Sequence, residues 1–185
     1  MIINLIRHGK TAGNIGKKYI GTTDEPLCPE GISEIKKINY PPCDIVVTSP
    51  MRRCIQTAEI IYSDREIIIR NGFKECNFGD FEGKSYRELS GNPDYQTWID
   101  SNGTGTFPNG ENPENFRKRC TETFIEIFEK YNNIVVSMIV HGGTIMAIMS
   151  EFAVPHKYFF DWQVKNGRGF MVEYSSRKIA VLEEI

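Results

Sequence analysis

Two histidines occupy matching positions far apart in the chain. His8 follows the apolar run at residues 2–6 and precedes Gly9; His141 follows "IVVSMIV", residues 134–140, and precedes Gly142 and Gly143. Each ends a strand-like run beside a glycine, which lets backbone approach a ligand closely. In open α/β sheets ligands bind at the carboxyl ends of strands, so both imidazoles are expected on one sheet edge. Cations accompany them. Arg7 directly precedes His8, and Arg52 and Arg53 open the helical pattern of "TSPMRRCIQTAEII", residues 48–61. There Ser49 is the expected N-cap and Pro50 the expected first helical residue. A cation in a first turn opposes the helix dipole by about 0.3–1 kcal/mol; two in succession argue for an anion at that end, with Arg52 read as facing solvent. Glu75, in "FKECNFGDFEG", has Phe73, Phe78 and Phe81 close by in sequence, and an apolar setting favours the protonated carboxyl. Neutral imidazoles, guanidinium groups and a protonated carboxyl suit phosphoryl transfer through a phosphohistidine. One imidazole attacks, the cations neutralise the phosphoryl oxygens, and the carboxyl protonates the leaving alkoxide.

Several elements must hold these groups in place. Strand-like runs lie at 2–6, 44–48, 66–70 and 134–140, and two more, 168–174 and 178–183, are joined by the polar "SSRK" in hairpin fashion. Apolar residues at helical spacing mark 51–62 and 114–130, and "TIMAIMSEF" at 144–152 is apolar nearly all round, as a buried helix would be. Strands alternating with helices predict an α/β fold with a largely parallel sheet. Residues 76–113, rich in Gly, Pro, Asn and aromatics, break the rhythm and are expected to form an irregular, partly helical excursion over the site. One domain over 1–185 is expected from the length.

The net charge of −2 supplies no global field for nucleic acid or an anionic membrane, so neither is an expected partner. The apolar runs are too short to span a bilayer, and no secretory signal is visible. Five cysteines without a C-x-x-C or Cys/His spacing are read as reduced thiols of a cytoplasmic protein, with no metal or other cofactor. Cys76, beside Glu75, is read as a passive small side chain. His156, in "VPHKY", lacks the context of the other two histidines and is read as a surface or packing residue.

"LIRHGKTAGN", "SPMRRCIQTAE", "ECNFGDFEG" and "VHGGTI" resemble, in order, the four motifs of the histidine phosphatase superfamily. The resemblance extends through "GTTDEPLCPEG" and "PNGEN" to most of the chain. It implies the phosphoglycerate mutase-like three-layer α/β/α sandwich, with His8 as nucleophile and Glu75 as proton donor. It further implies that Arg7, Arg53 and His141 clamp the phosphoryl group, with Asn14 and the Gly142 turn as phosphate contacts. The implied partner is a small-molecule phosphomonoester; oligomeric state is left open. Three residues depart from the family pattern. Lys10 replaces the usual acid, which makes the expected local field more positive. Cys28 replaces a Ser or Thr cap at a cost of roughly 1 kcal/mol, and Asn112 replaces the serine of a common "GES".

Within the superfamily, "NFGDFEGKSYREL", "PDYQTWID" and "PNGEN" are similar to the α-ribazole-5′-phosphate phosphatases. Between Cys76 and Phe107 five acids (Asp80, Glu82, Glu88, Asp94, Asp100) face two bases (Lys84, Arg87). That balance disfavours a second anion on the substrate and allows a neutral, flat body, for which Tyr86, Tyr95, Trp98 and Phe107 are candidate stacking residues. The alternatives are a broad-specificity or sugar phosphatase, then a phosphoglycerate mutase, or a module that binds phosphorylated ligands without turnover.

Overall fold

The structure is a computed structural model that describes residues 1–101, 103–131 and 133–185. Its elements run β1 (Ile2–Arg7), α1 (Ala12–Ile15), α2 (Pro29–Ile35), β2 (Ile45–Thr48), α3 (Arg52–Ile61), β3 (Ile67–Ile69), α4 (Pro93–Asp100), α5 (Pro113–Lys130), β4 (Val136–Val140), α6 (Gly142–Phe152), β5 (Gly169–Ser175) and β6 (Lys178–Glu184). Six strands form one sheet in the order β3-β2-β4-β1-β5-β6. β3, β2, β4 and β1 are mutually parallel, whereas β5 and β6 return as an antiparallel hairpin beside β1.

Strand periodicity divides the core. From β1, Ile3 and Leu5 point to the face covered by α5 and α6, where they meet Val136, Met138 and Val140 of β4 and Phe124, Ile127, Ile145 and Ile148 of the helices. The alternate residues Ile6, Val46 and Ile139 face Cys54 and Ala58 of α3. Side chains that alternate between two covered faces explain why β4 is buried along its whole length. No helix of the described residues is long and apolar enough to cross a membrane.

The excursion has its own small core. Phe81, Leu89, Phe107, Phe116 and Cys120 are buried together, with Tyr19, Tyr95 and Trp98 packed against them. Its base is closed by backbone bonds from Asp80 N–H to the Pro108 carbonyl (2.9 Å) and from Glu111 N–H to the Asn77 carbonyl (2.8 Å). It therefore behaves as a packed cover, not a loose loop.

Two helix starts differ from expectation. α3 begins at Arg52 with Met51 as N-cap and no side-chain cap bond; Ser49 Oγ accepts from Met51 N–H at 3.4 Å, ahead of the helix, and also meets His141, as described below. The first-turn Arg52 N–H instead donates to Asp24 Oδ1 at 2.7 Å. At α2 the Cys28 sulfur does cap, accepting from Gly31 N–H at 3.3 Å, a weaker bond than a hydroxyl would make.

Phe124 is fully buried, stacked on Phe152 at 5.5 Å and edge-on to Tyr174 at 4.9 Å. Phe124→Ala should lower unfolding free energy by about 3–5 kcal/mol, measured by urea denaturation. A loss below about 1 kcal/mol would mean that α5 is not clamped to the sheet in this way.

Candidate active site

β1 and β4 are parallel neighbours with Arg7 opposite Val140, so the next residue of each strand, His8 and His141, emerges at the same edge. The two rings lie 5.2 Å apart, edge to face. His8 Nδ1–H donates to the Gly9 carbonyl at 2.7 Å. This fixes the ring and leaves Nε2 as the unprotonated nitrogen. Burial, then Arg53 and Arg7, hold His8 well below the usual imidazole value. The same causes in the same order, with His8 added between the arginines, depress His141.

Arg7, His8, Asn14, Glu75 and Gly142 line a cavity of about 360 Å³. Arg7 donates through Nη1 to the Val164 carbonyl at 2.8 Å, while its buried Nε–H has no acceptor. A buried guanidinium N–H without a partner is a place for an anion. Asn14 Oδ1 accepts from Thr11 N–H (3.2 Å) and from Asn166 Nδ2 (3.0 Å), which leaves its own amide N–H groups to serve the cavity. Gly142 opens α6, whose first-turn N–H groups lack intrahelical partners.

Arg53 and His141 form a layer behind this wall. Both are fully buried. Arg53 donates to the carbonyls of Thr23 (2.8 Å) and Gly21 (2.9 Å), and its Nε–H approaches His141 Nδ1 at 3.4 Å. His141 Nε2 is 2.8 Å from Ser49 Oγ. With Nδ1 facing a donor, Nε2 carries the proton and Ser49 accepts it. Gly21 must be glycine, because a Cβ there would collide with the Cys76 carbonyl.

Glu75 Oε1 accepts from Cys76 N–H at 3.0 Å and Oε2 from Gly143 N–H at 3.2 Å. Desolvation raises its pKa against these two bonds and the fields of Arg53 and Arg7. Gly143 packs against this carboxyl so closely that a Cβ there would strike it and the Phe116 ring. Burial likewise pushes the Cys76 thiol up, which keeps it a passive thiol. His156 is exposed.

The family model of the histidine phosphatase superfamily (branch 1) matches residues 3–184. The chain belongs to that superfamily and is a phosphatase. It is 32% identical over 158 residues to the uncharacterized phosphatase PhoE of Bacillus subtilis, a match covering 80% of this chain and 76% of that one. With the adenosylcobalamin/alpha-ribazole phosphatase of Escherichia coli it shares 28% identity over 179 residues, 88% of this chain and 85% of that one. In fold it resembles the crystal structure of the alpha-ribazole phosphatase from Shigella flexneri, with a TM-score of 0.85 over 98% of this chain and 94% of that one at 23% identity.

The histidine phosphatase site differs from three sequence expectations. Lys10 adds nothing to the field at His8: its ammonium is paired with Glu30 (2.8 Å) and Glu34 (2.7 Å). None of the five excursion acids lines the cavity. Glu82 accepts from Gly21 and Thr23 N–H, Asp80 from Asn109, Glu88 from Ser85 and Asp100 from Gln96, while Asp94 is exposed. Of the four candidate stacking residues, Trp98 and Phe107 line the cavity; Tyr86 and Tyr95 do not. Asn112 serves as the N-cap of α5.

Sequence reading missed a further pair. Arg119 donates through Nε and Nη2 to the two Glu111 carboxylate oxygens (2.7 and 2.8 Å) and through Nη1 and Nη2 to the carbonyls of Gly72, Lys74 and Glu75, so it holds the segment that presents Glu75. The signal was Glu111 just before an Asn-Pro helix start with an arginine eight residues on. Among the described residues no group of three or more His, Cys, Asp or Glu is placed to hold a metal ion.

The pKa directions set the pH profile. His8 stays neutral to a lower pH than free imidazole, so that, with His8 as nucleophile, the rate would fall when it takes up a proton. Glu75 keeps its proton to a higher pH than a free carboxyl, so that, with Glu75 as proton donor, the rate would fall when it loses it. Plots of kcat/KM against pH should therefore be bell-shaped. Glu75→Gln should cost about 10²–10⁴ with alkyl phosphates and far less with p-nitrophenyl phosphate. Equal losses on both would remove Glu75 from proton donation.

Proposed function

We propose that the chain hydrolyses a small-molecule phosphomonoester through a phosphohistidine on His8. The observation that carries this reading is the His8 ring, fixed by its 2.7 Å bond to the Gly9 carbonyl, in a cavity that Arg7 also lines. In the first step Nε2 attacks phosphorus, the ester P–O bond breaks, and Glu75 gives its proton to the leaving alkoxide. In the second, the Glu75 carboxylate takes a proton from water, whose oxygen displaces the imidazole and releases phosphate. Arg7, Asn14 and the Gly142 turn hold the phosphoryl oxygens. Arg53, from the layer behind, adds positive potential, and His141, bonded to Arg53 and Ser49, orients it. This division gives each candidate residue a role and requires no metal.

The finer reading is α-ribazole-5′-phosphate as substrate. It is supported by the relative that bears this activity in its name and by the aromatic cavity wall of Phe78, Trp98, Phe107, Phe116 and Phe159, which suits a flat body. The five free thiols fit a reducing, cytoplasmic setting, and a single domain over 1–185 fits the one continuous sheet.

Rapid quench with ³²P-labelled substrate should trap an acid-labile, base-stable adduct on His8, weaker in His141→Ala and absent in His8→Ala. Label on His141 would exchange the two roles. Activity should also survive EDTA, since guanidinium groups perform the neutralisation. Complete loss restored by a divalent ion would overturn that account.

A further inference from the structure

Arg7, His8 and Asn14, three groups that the site needs in register, all touch one short segment just before β5. The Val164 carbonyl takes Arg7 Nη1–H at 2.8 Å. Gly167 N–H, in a turn that holds its φ at +71°, reaches the carbonyls of Arg7 and His8 at 3.0 and 3.1 Å. Between them stands Asn166, half-buried. Its Nδ2 lies 3.1 Å from the His8 carbonyl, 3.5 Å from the Gly9 carbonyl and 3.0 Å from Asn14 Oδ1. From the other side the Tyr40 hydroxyl donates to the Gly167 carbonyl at 2.9 Å, so the segment is anchored on both flanks.

We infer that Asn166 is a positioning residue for phosphoryl binding: it sets which end of the Asn14 amide faces the cavity. The inference rests on the reading of Asn14 as a phosphoryl contact and deepens it. Donors and acceptors decide the matter. A backbone carbonyl only accepts, so the end of Asn166 turned towards the His8 and Gly9 carbonyls is its NH2. An NH2 only donates, so the atom that Asn14 presents to it is the amide oxygen, the same oxygen that takes Thr11 N–H at 3.2 Å. The Asn14 N–H groups are thereby kept for the cavity that Asn14 lines. Reversed, the amide would offer an oxygen to the phosphoryl oxygens and lose a charge-assisted bond. The backbone contacts of Asn166 are duplicated. The His8 carbonyl also has Gly167 N–H at 3.1 Å, and the Gly9 carbonyl has His8 Nδ1–H at 2.7 Å. Without Asn166 the Asn14 oxygen keeps a single, longer bond, so the loss falls on Asn14.

A double-variant cycle tests this with p-nitrophenyl phosphate as substrate. Asn166→Ala should lower kcat/KM about tenfold, the scale of one hydrogen bond to a charged group, and weaken inhibition by orthovanadate in parallel. Asn14→Ala should cost as much or more. Adding Asn166→Ala to Asn14→Ala should then cost less than about twofold, because the side chain it positions is gone. A role confined to holding the backbone of His8 predicts instead that the two losses multiply. Asn166→Leu, close in shape but without donors, repeats the cycle should the alanine variant not fold. Binding of inorganic phosphate, measured by calorimetry, repeats it without turnover. If Asn14→Ala is silent in both assays, the phosphoryl-contact reading fails and this inference fails with it. If Asn14→Ala is costly while Asn166→Ala is silent, or if their losses multiply, the contact reading stands and Asn166 does not position it.

Discussion

The structure depends on two guanidinium groups that have no carboxylate partner. Arg53 is fully buried and held by carbonyl oxygens and one imidazole; Arg7 keeps a buried N–H with no acceptor at all. Removing a cation from water without a counter-ion costs several kcal/mol. The fold tolerates this because neutral dipoles surround the charge. Every titratable neighbour responds to the same field. With burial, the larger cause, it keeps both histidines neutral, and it draws Glu75 towards ionisation against the desolvation that raises its pKa. The segment from Ile20 to Thr23 exists in its particular shape to feed carbonyls to Arg53. The excursion holds that segment in turn, through Glu82 and the close passage of Gly21 beneath Cys76.

Strand pairing does the rest of the positioning. The β1–β4 register makes two residues separated by most of the chain into neighbours at one edge. Elements from the far side then tune them: Ser49, at the end of β2, orients His141, and Asn166, just before β5, binds both the His8 carbonyl and Asn14. The catalytic groups thus stand on a sheet edge that cannot move without breaking the core. The outer cavity wall comes from the excursion and from Phe159 and Phe160, which can vary without disturbing the sheet edge.

What could be read from the sequence was whatever is local or periodic. The alternation in β1 and β4, the apolar stripes of α3 and α5, and the Arg-His-Gly and His-Gly-Gly strand ends all carry their meaning within a few residues. Misreadings arose where a distant group took over a local role. Ser49 follows every capping rule, yet its hydroxyl is claimed by a histidine 92 positions away, and the α3 terminus turns to Asp24 instead. Lys10 looked like part of the site field because it is two residues from His8; Glu30 and Glu34 remove it. Arg119 was missed because its only sequence signal is the spacing to Glu111; most of its partners are backbone carbonyls, which have no sequence signature. The charge count over the excursion failed for a related reason. Net charge is a property of a segment, whereas a cavity feels only the charges whose side chains turn into it.

Substrate binding and proton inventory are coupled through the same arginines. In the free enzyme Arg53 and Arg7 lower the Glu75 pKa while burial raises it, so the proton is held by a balance of opposed effects. A phosphate dianion beside the arginines offsets their pull, leaving desolvation dominant and the proton more firmly on Glu75 when the leaving group needs it. The same dianion raises the affinity of His8 for a proton, which would spoil the nucleophile if solvent could supply one. His8 is almost wholly buried, with Nδ1 already committed to Gly9, so the substrate itself covers the only open nitrogen. Ordering therefore follows from geometry: the phosphoryl group that raises the basicity of His8 also occupies the space through which a competing proton would have to arrive.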